Sequence, residues 1–164
     1  MWLIVFGAIK KLLPQRDSTR RAAHLKLGER GERKALEYLA KFEGYRVVAT
    51  NFLVPIGRGL KGQKLRAEID IIAYDGDTLA FVEVKTRTSD ELVAPDRAVD
   101  LRKRRQVARA ARRYRQLMDV VGERYRYDVV TIIPGEREDK IELLRGYFDD
   151  RVFQRSYFFY RESR

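Results

Sequence analysis

The sequence predicts an α/β protein whose elements run helix, strand, strand, strand, helix, strand. Three observations carry this reading. Residues 66–87 form two β-rich runs on either side of Asp75, Gly76 and Asp77, and Asp-Gly is a strong hairpin-turn signal. A small-to-apolar stripe at helical spacing precedes the hairpin and ends near Gly44. A long arginine-rich helix follows it, and that helix leads into a further alternating run, Tyr125 to Ile133.

Composition limits the chemistry. With 164 residues and 45% hydrophobic content, one domain with an ordinary core is expected. Lys and Arg total 35 against 24 Asp and Glu, a net charge of +11. That excess points to a polyanion, nucleic acid first and an anionic membrane surface second, with a generally basic soluble protein as the plain alternative. The chain has no cysteine and one histidine, His24. Disulfides, thiol chemistry, zinc fingers and Cys–His nucleophile pairs are excluded. Catalysis must use carboxylates, Lys, Arg, Tyr, Ser or Thr. Any metal must accept oxygen ligands, as magnesium, manganese and calcium do.

In chain order, Met1 to Ile9 is apolar but too short to span a membrane, and Lys10 and Lys11 follow the apolar run instead of preceding it as in a signal peptide. A cytoplasmic protein with no transmembrane segment is expected. A short helix from Trp2 to Leu13 could dock on the domain, on a partner or, through Trp2, Ile4, Val5 and Phe6, on a membrane surface. Residues 15–21 read as a basic linker.

The first long helix is expected over Ala22 to Glu43. Gly28, Gly31, Ala35, Leu36, Leu39 and Phe42 form its stripe, and the two glycines suggest close approach to another backbone. Glu32 falls inside that stripe. Either it snorkels or pairs with an arginine, or it adds a carboxylate to the hairpin's active face. Tyr45 to Leu53 reads as a strand with Val47, Val48 and Ala49 at its core. Residues 54–65, with Arg58, Lys61 and Lys64, read as a basic loop for phosphate contact or as a solvated β-turn extension.

Within the hairpin, parity places Glu68, Asp70 and Ile72 on one face and Ile69, Ile71 and Ala73 on the other. In the second strand Leu79, Phe81, Glu83, Lys85 and Arg87 share a face. Asp70, Glu83 and Lys85 can meet at one end of the hairpin if the acidic faces coincide.

The next helix is expected from Pro95 or Asp96 to Val121, with a stripe of Ala98, Leu101, Ala108, Ala111, Tyr114 and Met118. Arg102, Lys103, Arg105 and Arg109 lie among its basic residues. Acidic residues are nearly absent from the run, which favours phosphate binding over a merely solvated face. Gln106 could hydrogen-bond a phosphate or an active-site carboxylate. Strands are expected at Tyr125 to Ile133 and at Lys140 to Phe148. The tail 151–164 carries Phe153, Tyr157, Phe158, Phe159 and Tyr160 among arginines, for packing on the sheet edge or for stacking on bases.

A hard divalent cation wants carboxylates plus a carbonyl and water. Asp70 and Glu83 can supply the carboxylates, the main chain at Val84 the carbonyl, and Glu32 a further oxygen directly or through water. Lys85 can orient a nucleophilic water and offset charge growing on a phosphate. The Glu-x-Lys triplet alone is weak evidence, and its weight comes from its setting on a hairpin between an acid-bearing helix and an arginine-rich one.

These residues also carry a resemblance. Gly28-Glu29-Arg30-Gly31-Glu32, Asn51, Glu68-Ile69-Asp70-Ile71-Ile72 and Phe81-Val82-Glu83-Val84-Lys85-Thr86-Arg87 resemble the signature blocks of the YraN family, a bacterial group placed in the PD-(D/E)xK nuclease superfamily near the Holliday junction resolvases. The likeness covers roughly residues 25–133, with Ala67 where the family usually has glycine and a longer stretch at 54–65. It implies a restriction-endonuclease-like three-layer fold with a mixed central β-sheet flanked by helices. It also implies that Glu32, Asp70, Glu83 and Lys85 match the superfamily's catalytic positions.

The expected organisation is a segment 1–21, a nuclease-like domain 22–150 and a tail 151–164. The expected function is a Mg2+- or Mn2+-dependent endonuclease acting on DNA, with branched DNA among the candidate substrates. Arg58, Lys61, Lys64, Arg87, Arg102, Lys103, Arg105, Gln106 and Arg109 would hold the nucleic acid. A homodimer is a candidate assembly, because symmetric cutting of a four-way junction needs two copies. The alternatives are a non-catalytic nucleic-acid-binding protein of the same fold and a membrane-associated adaptor.

Overall fold

A computed structural model describes residues 16–87 and 98–154. Helix α1 (Arg16–Lys41) leads into strands β1 (Arg46–Arg58), β2 (Lys64–Asp75) and β3 (Thr78–Thr86). Helix α2 (Leu101–Leu117), strands β4 (Tyr125–Ile133) and β5 (Lys140–Phe148) and a closing 3₁₀ turn (Asp150–Phe153) follow. The strands form one five-stranded sheet in sequence order. Strands β3 and β4 are parallel, and every other neighbouring pair is antiparallel. A parallel pair needs a long crossover, which α2 provides. The result is an α/β molecule with a mixed sheet flanked by helices, consistent with a restriction-endonuclease-like fold.

The two sheet faces bury separate cores. On one, Ala35 and Leu39 of α1 pack on Ile71, Ala73, Ala80, Val82, Val130 and Ile132. On the other, Val107, Ala110, Ala111 and Tyr114 of α2 pack on Ile69, Ile72, Leu79, Phe81 and Tyr127. The β2–β3 turn closes at Gly76-Asp77, since Asp75 pairs with Thr78. Gly76 has φ +56°, as a glycine at the first position of a two-residue hairpin loop requires.

Several expectations are corrected. Helix α1 begins at Arg16, inside the segment read as a linker. Arginine is a good helix former, and the stretch simply lacks an apolar stripe to announce it. Phe42 is 76% exposed, off the stripe, with its ring 6.0 Å from that of Tyr38. Only one of the two glycines marks a close approach. A Cβ on Gly31 would collide with Thr86 Oγ1, whereas one on Gly28 would meet nothing within 4 Å.

Residues 54–58 and 64–65, read as loop, are strand, so β1 and β2 project as a long arm. Pro55 and Gly57 hid this. They are tolerated because β1 is an edge strand. Val48 is exposed, because the register shifts between Val47 and Ala49.

The parity of β2 also fails. Ile69 lies in the same core as Ile72, while Ile71 and Ala73 lie in the opposite one. The alternation slips at Asp70, facing Asn51, whose φ is +49°. Helix α2 starts at Leu101, with Asp100 as its cap accepting a 2.8 Å bond from the Lys103 amide. It ends at Leu117, and Asp119 follows with φ +56°. Leu101 and Met118 are exposed, and Val107 and Ala110 take the buried positions instead. The expected helix start at Pro95 or Asp96, the helix 2–13 and the aromatics from Tyr157 onward lie outside the described residues. Phe153 packs back onto the α2-side core. The boundary drawn at residue 151 therefore falls inside a structural turn.

Candidate active site

Strand β2 stays paired with β3 from Asp75 back to Ile71 and no further. At that fork the Asp70 carboxylate replaces the missing ladder, its Oδ2 accepting the Val84 N–H at 2.8 Å. Glu83, on the neighbouring β3 position, points toward α2. Its side chain is 2% exposed, and it is one of two buried charged residues among the described residues. The other, Asp128, is fully bonded by Tyr45 Oη, Arg126 Nε and the Gly146 amide, and serves the opposite end of the sheet.

Glu83 is held differently. Lys85 Nζ lies 3.2 Å from Oε1 and Lys103 Nζ 3.0 Å from Oε2. The Lys103 contact is an ion pair whose angle does not complete a hydrogen bond, so Oε2 is buried without an aligned donor. Burial, followed by the charge of Glu83, pushes the Asp70 carboxyl up to about 7. Burial pulls the Lys103 ammonium down, but the charges of Glu83 and Asp70 outweigh it and raise its pKa. A buried Asp70 carboxyl whose ionisation is opposed by burial and by the neighbouring charge is suited to a hard cation.

The structure thus brings Asp70, Glu83, Val84 and Lys85 together. Glu32 stands to one side. Its Oε2 accepts a 2.7 Å bond from Asn51 Nδ2, and it lines a cleft of about 460 Å³ with Glu29, Thr50, Asn51 and Asp70. Its charge still acts on Asp70. Among the described residues no three acidic or histidine side chains form a ready-made metal cage. The donors that fit a hard cation are the Asp70 and Glu83 carboxylates, with Oε2 of Glu83 the buried oxygen lacking an aligned donor.

The expected nucleic-acid residues divide. Arg102, Arg105, Gln106 and Arg109 line one shallow cleft with Ile56 and Leu101. Arg58, Lys64 and Arg109 line a larger groove of about 930 Å³ between the β1–β2 arm and α2, together with Arg66, Arg112 and Arg113. Arg109 joins the two into one basic track. Lys61 is exposed in the turn at the end of the arm. Arg87 donates to the Ala98 carbonyl at 2.8 Å and Arg105 to the Val152 carbonyl at 2.7 Å, so each also ties down a loop. Lys103 turns away from the track toward Glu83.

Sequence reasoning assigned Lys103 to phosphate, gave Asn51 no role and left Arg66 out of the binding set. For Lys103 a signal existed. It precedes Val107, Ala110 and Tyr114 at helical spacing, and those three are buried, so it lies on the inward stripe.

A five-stranded mixed sheet flanked by helices makes this molecule an α/β protein of restriction-endonuclease-like fold, with the paired acids and the lysine placed where two of its strands part. The sequence model described as "Uncharacterised protein family UPF0102" matches residues 31–132. UPF0102 is the YraN family, and the chain belongs to it. A UPF0102 protein of Desulfosudis oleivorans is 41% identical over 122 residues, 74% of this chain and 89% of that protein. One from Solibacter usitatus is 42% identical over 121 residues, 74% and 84% of the two chains. One from Koribacter versatilis is 37% identical over 138 residues, 84% and 87%. Among the described residues no helix is long and apolar enough to cross a membrane.

Proposed function

We propose that this protein is a divalent-metal-dependent endonuclease that hydrolyses phosphodiester bonds in DNA, with branched DNA among its candidate substrates. The observation that carries the reading is the buried Glu83 beside Asp70, with Lys85 3.2 Å from Glu83 on the same strand face. Burying a charged cluster is costly. A fold that needed only an apolar strand here would be better served by valine or leucine.

Asp70 and Glu83 would hold magnesium or manganese, with the Val84 carbonyl and Glu32 as further oxygen donors. When bound, such an ion supplies Lewis-acid stabilisation of charge on the scissile phosphate. The chain's own residues do the rest. Lys85 donates to the attacking water or to a phosphate oxygen and opposes the negative charge that grows there. Asn51 fixes Glu32 beside Asp70. The basic track from Arg102 through Arg109 to Arg58 neutralises the backbone and sets its path.

Purified protein is incubated with linear, single-stranded, flap and four-way-junction DNA, in manganese and in EDTA, beside Asp70→Ala and Lys85→Ala. Metal-dependent cutting that both variants lose supports the reading, and the preferred substrate names the subclass. A second reading, a DNA-binding protein without turnover, is favoured by one observation: two ammonium groups already neutralise Glu83. Tight binding that ignores metal, with no cutting by the wild type, would select it.

A further inference from the structure

We propose that Lys103 is a positioning residue for the metal site: its ammonium is the resident counter-ion of Glu83, and a divalent cation must displace it to bind. This rests on the reading of Asp70 and Glu83 as metal ligands.

The two lysines on Glu83 are not equivalent. Lys85 is two residues along the same strand and stays beside the carboxylate whatever α2 does. Lys103 reaches in from the first turn of α2, where the Asp100 cap fixes its backbone. Its side chain is 24% exposed, less than the 36% of Lys85, yet its long stem still has a route outward along the surface of α2. Its partner oxygen, Oε2, has no aligned hydrogen bond. The contact is a 3.0 Å ion pair made by an ammonium on a flexible stem, so a cation of higher charge can exchange for it.

Repulsion among the cations favours the exchange. Lys103 lies in the combined field of Glu83 and Asp70, the field that would hold a divalent cation. With a divalent ion added and both lysines retained, four positive charges would face the two carboxylates. Like charges a few ångströms apart in a buried site repel strongly. Removing one ammonium leaves three positive charges, which Asp70, Glu83 and the nearby Glu32 can match, and the one contributed by a separate element is Lys103. In the metal-free protein the same ammonium keeps the Asp70–Glu83 pair from being a buried, half-neutralised charge.

The test measures metal binding, not turnover. Mn2+ titrations by calorimetry are run on the full-length wild type, Lys103→Met and Lys103→Arg, with thermal unfolding of each protein in EDTA. K103M is expected to melt lower in EDTA and to bind Mn2+ about ten- to a hundredfold tighter. K103R, which keeps the charge, is expected to retain wild-type affinity. A purely structural lysine would lower the melting temperature without tightening Mn2+. K103M that is folded and binds Mn2+ no tighter than wild type would overturn the proposal while leaving the metal site standing. Absence of Mn2+ binding in folded wild type and K103M alike would overturn the metal-site reading and this inference with it.

Discussion

At the residue scale, the chemistry is concentrated in how Asp70 and Glu83 share one buried field. The Asp70 carboxyl has an ordinary value of 3.8 and is pushed up to about 7, by burial first and the Glu83 charge second. Folding therefore raises its proton affinity. The stability this gives is complete below about pH 4 and is lost as pH rises through about 7. In the metal-free protein, urea midpoints should fall from about pH 5 to about pH 8, and Asp70→Asn should flatten that difference. A variant profile parallel to the wild type would reject this account. If the protein cuts DNA as proposed, Lys85→Ala should lower kcat by about 10²-fold or more with DNA affinity little changed, read by single-turnover cutting beside a binding titration. The core of this site was legible in the sequence because β3 keeps strict alternation, so Glu83 and Lys85 had to share a face. Lys103 is missed because the expected stripe sets the helix phase on Leu101 and Met118, which are exposed, whereas the buried Val107, Ala110 and Tyr114 turn Lys103 inward.

At the element scale, the site depends on where helices and strands come closest. Helix α1 crosses β3 with Gly31 against Thr86, and the next residue, Glu32, is thereby set beside Asn51. Gly31→Ala should destabilise the protein by about 1–3 kcal/mol, because the added methyl has no room. Thr86→Ala in the same chain should recover most of that loss, since the colliding hydroxyl is gone. A double-mutant cycle of unfolding free energies checks it, and additive effects would sink the idea. The order of elements was readable from periodicity, and β4 and β5 fall where alternation put them. The arm was not, because Pro55 and Gly57 are strand breakers everywhere except at a sheet edge, and edge status is a property of the assembled sheet. The slip at Asp70 escaped for a related reason. Parity assumes an unbroken ladder, and this one is interrupted by a side chain that bonds like a backbone.

At the scale of the whole molecule, the net charge of +11 is not spread evenly. A basic track runs along α2 and under the arm, while acids gather at the β2–β3 fork and in the Tyr45–Asp128–Arg126 network at the other end of the sheet. If the track carries DNA backbone, affinity must fall steeply with salt. Arg66→Ala with Arg109→Ala should weaken binding to all sequences alike and lower the slope of log K against log salt by about 2. Fluorescence anisotropy across a salt series measures it, and an unchanged slope would place the DNA elsewhere. The sequence exposed the charge excess but not its geometry. Arg66 belongs to β2 and Arg113 to α2, and only the packing of that helix under the arm brings them to one groove.

The bond from the Val84 amide to Asp70 Oδ2 gives the fork a spectroscopic use. A backbone proton that elsewhere would answer only to sheet pairing here answers to the electron density of a single carboxylate. Whatever grips, protonates or turns that carboxylate is transmitted directly to the main chain of β3. The Val84 amide resonance is thus a built-in gauge of the fork, able to register any change of charge or protonation at Asp70 in the intact protein.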